Sequence, residues 1–320
     1  MYRCPDCPGV DFAYHSCHHR ACPRCGGNRT AAWTARQEAR LLPVPYFLVT
    51  FTVPQELRGV FARQPERMHA ALFRESAATL QQVAAQLRLL GGELGFMGVL
   101  HTWGRQLQHH PHVHYVVPGG GLSLDGKRWV PARQADWLLP VAKLAAAFRR
   151  RMEDVLQTET PAEHATIPAG TWRQPWVVHC QPAGSGAAVV RYLARYVGRT
   201  AISDDRILTA DDDHVTFRYT DSATQQKKVC TLSAAEFLRR YLQHVPPAGQ
   251  HRVRYFGWLH PSAKARLRRV ETLLAKPIIV AAPPPEPVRW HLRCPHCERF
   301  SLVRVGSLPR MARAPPRCIR

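Results

Sequence analysis

The sequence predicts an α+β fold: an antiparallel sheet with helices packed on one face, in a split βαβ order, behind a small metal-nucleated module at the N-terminus. Three observations predict it. Short β-branched and aromatic runs alternate with long Ala/Leu-rich segments. Their order is β-α-β-β-α-β-α, which closes an antiparallel rather than a parallel sheet. The first 25 residues carry five of the ten cysteines and show no hydrophobic periodicity.

The elements follow in order. Residues from Trp33 to Leu42 read as a helix that stops at Pro43-Val44-Pro45. Tyr46–Val53 (YFLVTFTV) is a strand by its β-branched and aromatic content. Glu66–Leu90 has neither Gly nor Pro and reads as a long helix, ended by Gly91-Gly92. Leu94–Trp103 and Pro111–Val117 are the next two strands, followed by the turn Gly119-Gly120-Gly121. Asp136–Thr158 is an amphipathic helix, Trp176–Cys180 a short strand, Ala183–Gly186 a loop and Ala187–Val197 a helix. Arg206–Thr209 and His214–Tyr219 form a hairpin across the acidic turn Asp211-Asp212-Asp213. Ser233–His244 is a helix in which Ser233 caps the N-terminus and Glu236 follows three residues on. His260–Lys276 is the last helix. These signals divide the chain into a metal module and linking helix over 1–42, a main domain over 43–276, and a Pro-rich linker with a basic tail over 277–320.

Composition narrows the function classes. With 320 residues and 45 % hydrophobic content, the chain is globular rather than disordered. No stretch reaches the roughly 18–20 apolar residues that span a bilayer, so no membrane partner is expected. The segment after Met1 has no apolar core of a signal peptide, which predicts a cytoplasmic location. The net charge of +21, with Lys and Arg at 44 against Asp and Glu at 23, calls for a polyanionic partner, of which nucleic acid is the commonest. An arginine-rich genome composition is the bland alternative. Oligomeric state is not encoded in any pattern here.

Clustered cysteines without a secretory signal read as metal ligands rather than disulfides. Cys4-Pro5-Asp6-Cys7 and Cys22-Pro23-Arg24-Cys25 are two CxxC knuckles. Their four thiolates suit a tetrahedral structural Zn²⁺. Cys17, His18 and His19 lie between them as substitute or supporting ligands. A further knuckle, Cys294-Pro295-His296-Cys297, has only Cys318 after it, so a second zinc there would need His291 or His296.

His112-Val113-His114 sits on a strand, where alternation turns both imidazoles to one face and Val113, Tyr115 and Val117 to the other. Such a pair holds a divalent cation if a third ligand arrives from elsewhere; by itself it is a weak signal, and surface or structural histidines are the commoner case. Tyr192 and Tyr196 stand at i and i+4 on one helix face, with Arg191, Arg195 and Arg199 around them. Guanidinium groups beside a tyrosine suit phosphate contacts, and core packing is the alternative reading of the tyrosines.

These residues, taken with Leu41–Tyr46, Leu100–Gly104, His110–Leu122, Arg191–Ser203 and Arg252–Gly257, resemble the insertion sequence 91 family of transposases. These are rolling-circle enzymes of the His-hydrophobe-His class. The resemblance runs in order along almost the whole chain. It implies a zinc ribbon followed by a rolling-circle nuclease-like core acting on single-stranded DNA. It implies that His112 and His114 bind Mg²⁺ or Mn²⁺ and that Tyr196 attacks the scissile phosphate, leaving a 5′-phosphotyrosine link and a free 3′-OH. Tyr192 matches the second tyrosine of two-tyrosine members. For the third metal ligand the candidates are Gln106, Gln108, Gln181 and Asp204, while His101 reads as a strand residue near the site. Two other readings remain: a zinc-ribbon DNA-binding protein without catalysis, and a plasmid-type replication initiator.

Overall fold

In a computed structural model, residues 1–12, 19, 27–197, 201–221, 223–276, 294–299 and 301–306 are described. Two units are distinguished: Met1–Cys17 with Ile278–Arg320, and His18–Pro277. The terminal cysteine knuckles therefore belong to one unit, although the sequence divides them between an N-terminal module and a C-terminal tail.

The terminal unit is built on β1 (Tyr2–Arg3) and β2 (Val10–Asp11), with a third strand from the other end of the chain completing an antiparallel sheet. That strand, Val303–Arg304, pairs with β1 in the register Tyr2↔Arg304. Its small core is Cys4, Cys294 and Leu302. So little apolar surface is marginal for a stable fold unless something other than burial holds it.

The larger unit begins with α1 (Gly27–Glu38) and β3 (Tyr46–Thr52). Next come α2 (Arg58–Arg63) and α3 (Pro65–Ala84). Pro65 stands in the first turn of α3, where its missing N–H costs no hydrogen bond. This helix ends six residues before the expected Leu90, and the chain turns back at Gly91, whose φ of +73° suits glycine and whose N–H donates to the Ala84 carbonyl. After β4 (Gly92–Glu93) come β5 (Gly95–Trp103), β6 (His109–Pro118), β7 (Gly120–Ser123) and β8 (Trp129–Pro131). α4 (Val141–Glu159) starts after Pro140 rather than at Asp136. It is followed by α5 (Pro161–Ala165), β9 (Val178–Pro182) and α6 (Ala187–Val197), the last with the bounds the sequence predicts. Then come β10 (Ile207–Ala210), β11 (His214–Thr220), β12 (Lys227–Ser233), α7 (Ala234–Leu242), β13 (Val253–Gly257) and α8 (Lys264–Leu273). The Ser233 side chain accepts the Glu236 N–H, so the predicted cap forms. β14 is the terminal Val303–Arg304.

The central sheet has five strands in the order β13-β5-β6-β3-β9, each pair antiparallel. One face packs on α3 and α4: Phe47, Phe51, Phe96, Val113 and Tyr115 meet Phe73 and Phe148 in the main core. Tyr115 tucks its hydroxyl against Ser76 Oγ at 2.6 Å, which satisfies a polar group that burial would otherwise strand. The opposite face is covered too. Tyr46, Met97, Val99 and Val116 pack with Trp33 of α1 and Val190, Leu193 and Ala194 of α6. This corrects the expectation of helices on one face only. The physical reason is visible in β5, where all nine residues are buried, as happens when both faces of a strand are covered. A second three-stranded sheet, β10-β11-β12, joins α7 around Phe217 and Phe237, and β12 extends the predicted hairpin by one strand.

Candidate metal centres and tyrosine site

The first cluster is sulfur. Cys4, Cys7, Cys294 and Cys297 bring their Sγ atoms within 4.8 Å of one another. Cys4 and Cys297 are 3.6 Å apart, as are Cys7 and Cys294. A tetrahedron of sulfurs about 2.3 Å from a zinc ion has edges of about 3.8 Å, so the set fits the ion and is far too open for disulfides. The Ser301 hydroxyl, 3.2 Å from Cys4 Sγ, holds that thiol below its usual range, favouring the thiolate a metal needs. The sequence pairs Cys4 and Cys7 with Cys22 and Cys25; the structure brings them to Cys294 and Cys297, while Cys17, Cys22 and Cys25 lie outside the described residues.

The second cluster is nitrogen. His101 of β5 and His112 and His114 of β6 offer ring nitrogens within 4.8 Å of one another. β5 and β6 are antiparallel neighbours with His101 opposite His112, so cross-strand pairing places the third imidazole on the face that carries the other two. His101 Nε2 is buried with no hydrogen-bond partner among the described residues. His112 Nδ1 lies 2.6 Å from the His110 carbonyl oxygen, and His114 Nδ1 lies 2.8 Å from Thr50 Oγ1. With Nδ1 protonated and donating in both rings, each Nε2 is left as a lone-pair donor. Burial, reinforced by the neighbouring imidazoles, holds His101 and His112 well below the usual histidine range, and burial lowers His114 to about 4. Three neutral imidazoles and an orphaned buried nitrogen fit a divalent cation.

α6 delivers the tyrosines. Gly186, with φ of +79°, turns the chain into the helix where a Cβ would meet the Tyr46 ring at 2.8 Å. Val190, Leu193 and Ala194 bury the sheet-facing side. The Tyr196 ring then lies 4.4 Å from the His101 ring, and the Tyr192 ring 6.4 Å from His114. The two tyrosine rings are 5.2 Å apart and hydrogen-bonded. Burial, with Tyr196 beside it, pushes the Tyr192 phenol above its usual range. Arg191 is engaged with Glu38 of α1 at 2.8 Å. Arg195 is exposed and lines a cavity beside Tyr196. Arg199 lies outside the described residues.

Among the described residues Asp204 does not belong to the imidazole cluster, and the three glutamines expected as third ligands have other contacts. Gln106 Nε2 donates to the Tyr219 hydroxyl, Gln108 Oε1 accepts the Gln106 N–H, Gln181 sits on β9 opposite Leu48, and Asp204 lies in a short turn before β10. His101 is the residue that joins His112 and His114 in the cluster.

The chain matches two family models: one described as "Putative transposase" over residues 95–266, and one described as "Transposase zinc-binding domain" over residues 1–53. It is 34 % identical to "Putative transposase y4qJ" of Sinorhizobium fredii (strain NBRC 101917 / NGR234) across 98 % of this chain and 86 % of that protein. The chain belongs to the insertion sequence 91 family of transposases. It is also 33 % identical to "Transposase for insertion sequence element IS801" of Pseudomonas savastanoi pv. phaseolicola, across 79 % of this chain and 63 % of that protein. No solved structure matches it. Within this transposase the histidine pair and both tyrosines fall inside the longer match, and Cys4 to Cys25 fall inside the zinc-binding one. Among the described residues, no helix of the transposase is long and apolar enough to cross a membrane.

Sequence reasoning missed His101 as a partner of the pair, and Thr50 as the group that orients His114. The signal for His101 was present: a histidine on the strand before His112-Val113-His114. Its register was not, because β5 and β6 shift between His101 and Trp103 around the Gly104–Gln108 turn.

Proposed function

We propose that this protein nicks single-stranded DNA through Tyr196 and transfers the strand through a 5′-phosphotyrosine intermediate, with a divalent cation, Mg²⁺ or Mn²⁺, held by His101, His112 and His114. The observation that carries the reading is the contact of the Tyr196 ring with the His101 ring, 4.4 Å between centroids, beside three neutral imidazoles on a sheet packed on both faces. A cation bound there would supply a Lewis acid to the phosphoryl oxygens.

The chain's own residues do the rest. The phenolic oxygen of Tyr196 attacks phosphorus, the bond to the 3′ oxygen breaks, and the proton from the phenol is balanced by the proton gained on the departing 3′-OH. Tyr192, its phenol pushed above the usual range by burial and by Tyr196 beside it, stays protonated next to the nucleophile. The phosphotyrosine keeps the phosphodiester energy, so a second 3′-OH reverses the same steps to join the strand elsewhere. Arg195 contacts backbone phosphate. Arg191 and Arg199 are assigned the same role from the sequence, with Arg191 first having to leave Glu38. The four-sulfur cluster binds structural Zn²⁺.

The test is incubation of the zinc-loaded chain with labelled single-stranded transposon-end DNA and Mn²⁺. The wild type should form a covalent protein–DNA adduct that Tyr196→Phe does not form and that Tyr192→Phe retains within about tenfold. Loss of the adduct in Tyr192→Phe alone would reverse the assignment of the two tyrosines. A wild-type chain that binds every end sequence yet forms no adduct would return the non-catalytic zinc-ribbon DNA-binding reading.

A further inference from the structure

A cavity of about 650 Å³ opens beside Tyr196, within the larger unit. It is lined by Trp103 and Tyr196, by Arg218, Tyr219 and Lys227 of the β10-β11-β12 sheet, and by Arg105 and Arg206. No motif in the sequence marks this sheet as part of a site. Its packing does: Trp103, Leu107, Phe217 and Phe237 share one core, with Tyr196 packed against it.

The chemistry of the lining is one-sided. Arg105, Arg195, Arg206, Arg218 and Lys227 face Asp205 as the acid among the lining residues. Arg206 is held in place by two carbonyls: its Nε donates to Arg218 O at 3.0 Å and its Nη2 to Arg105 O at 3.2 Å. Those bonds clamp β11 to the β5–β6 turn and fix a half-buried cation at the rim. A cation removed from water favours an anion arriving to face it. Tyr219 is fixed as well, its hydroxyl accepting from Gln106 Nε2 at 2.7 Å. Aromatic rings beside fixed cations are the combination that takes stacked bases and phosphates of a single strand. The volume falls in the range of sites that enclose a small ligand.

Continuity with the proposed nucleophile decides which part of the strand it takes. The Tyr196 ring lies 4.4 Å from His101 on one side and 5.9 Å from Trp103 on the other. A phosphate brought to the Tyr196 hydroxyl would lie beside this cavity, because Tyr196 is itself part of its lining. We propose that the cavity is the subsite for the nucleotide flanking the scissile phosphate of single-stranded DNA: Tyr219 stacks the base, the buried Trp103 offers its edge beneath it, and Arg105, Arg206, Arg218 and Lys227 take the adjoining phosphates. This inference rests on the nicking reading for its register and not for its ligand class.

The test uses the full zinc-loaded chain in two arms. In a Tyr196→Phe background, which holds the strand uncut, anisotropy of a labelled single-stranded oligonucleotide is followed against salt. Adding Arg218→Gln and Lys227→Gln should weaken binding at least about tenfold and make the log–log salt slope shallower by about 1.4, at about 0.7 per lost phosphate contact on a single strand. A 5-iodouracil placed next to the cleaved bond should crosslink to Trp103 or Tyr219 on irradiation. Unchanged affinity and slope, equal weakening on duplex of the same sequence, or a crosslink confined to other peptides would each overturn the subsite. With Tyr196 intact, the Arg218→Gln/Lys227→Gln chain should show a raised KM for adduct formation with kcat kept within severalfold. An adduct formed with wild-type KM, together with a crosslink elsewhere, would sink the subsite and leave the nicking reading standing. A wild-type chain that forms no adduct but crosslinks through Trp103 or Tyr219 would sink the nicking reading and leave the subsite standing.

Discussion

The two metal-type clusters of this protein invite comparison. The sulfur cluster is closed: four thiolates at tetrahedral spacing, drawn from both ends of the chain, with a small core around them. The nitrogen cluster is open: three imidazoles on two long neighbouring strands, with a tyrosine ring against one of them. A four-coordinate site with no vacant position stabilises a fold, whereas three ligands leave room for a substrate oxygen. The support differs in the same sense. Around the sulfurs the strands are two residues long and the ion must substitute for a core. Around the imidazoles the sheet is packed on both faces and needs no ion to hold its shape. One cluster should therefore govern folding and the other chemistry, and each can be broken without the other.

The largest expected effect is on the sulfur side. Cys294→Ser should remove a zinc ion from the chain altogether, read by elemental analysis, and expose the terminal segments to proteolysis. The circular dichroism of the central sheet should survive. Retention of full zinc by Cys294→Ser, with loss in Cys22→Ser, would instead restore the pairing read from the sequence.

Next in size is His101→Ala. It should lower adduct formation by about a hundredfold or more, as His112→Ala and His114→Ala should, because each removes one of three ligands. Zinc content should not change. An unaffected His101→Ala chain would mean that the third ligand is supplied from elsewhere.

A smaller effect is expected at Thr50. Thr50→Val removes the partner of His114 Nδ1 and should weaken Mn²⁺ binding by about tenfold, in the range seen for groups that orient a ligand. Adduct formation at saturating Mn²⁺ should be close to wild type, which separates orientation from chemistry.

The smallest and most graded effect is with pH. Burial lowers His114 to about 4 in the folded chain, against about 6.5 in the unfolded one, and holds His101 and His112 well below the usual histidine range. Between those values the unfolded state binds more protons, so the metal-free chain should lose stability as pH falls from about 6.5 towards 4. Mn²⁺ affinity should stay nearly flat down to about pH 5.5, since protons compete only near the folded values. A midpoint for Mn²⁺ loss near 6.5 would show imidazoles that are not buried as described.

Much of the larger unit was legible in the sequence because its signals are local. Tyr46–Thr52 and Ala187–Val197 follow from composition and flanking glycines, and Ser233 caps its helix as the residue pattern requires. The alternation that sends His112 and His114 one way and Val113 and Tyr115 the other is a property of any strand. What the sequence concealed depends on contacts between distant segments. Cys4 and Cys297 are 293 positions apart, and no spacing rule joins them. His101 meets His112 through a register that a bulge alters. β13, which borders β5, carries the Arg252–Gly257 motif, but its five residues are only half-buried and show no buried–exposed alternation to mark a strand. The covering of both sheet faces did leave a trace: Gly95–Trp103 runs nearly without polar residues, where a half-exposed strand would alternate.

The separation of the two clusters can be measured in one sample. The zinc-loaded chain is treated with enough EDTA to strip loosely held cations, its zinc is counted, and adduct formation on single-stranded DNA is followed before and after Mn²⁺ is returned. Adduct formation should disappear and then recover with Mn²⁺ while zinc stays bound throughout, if the two clusters act separately. Adduct formation that persists in EDTA, or that falls only in step with zinc loss, would contradict that separation.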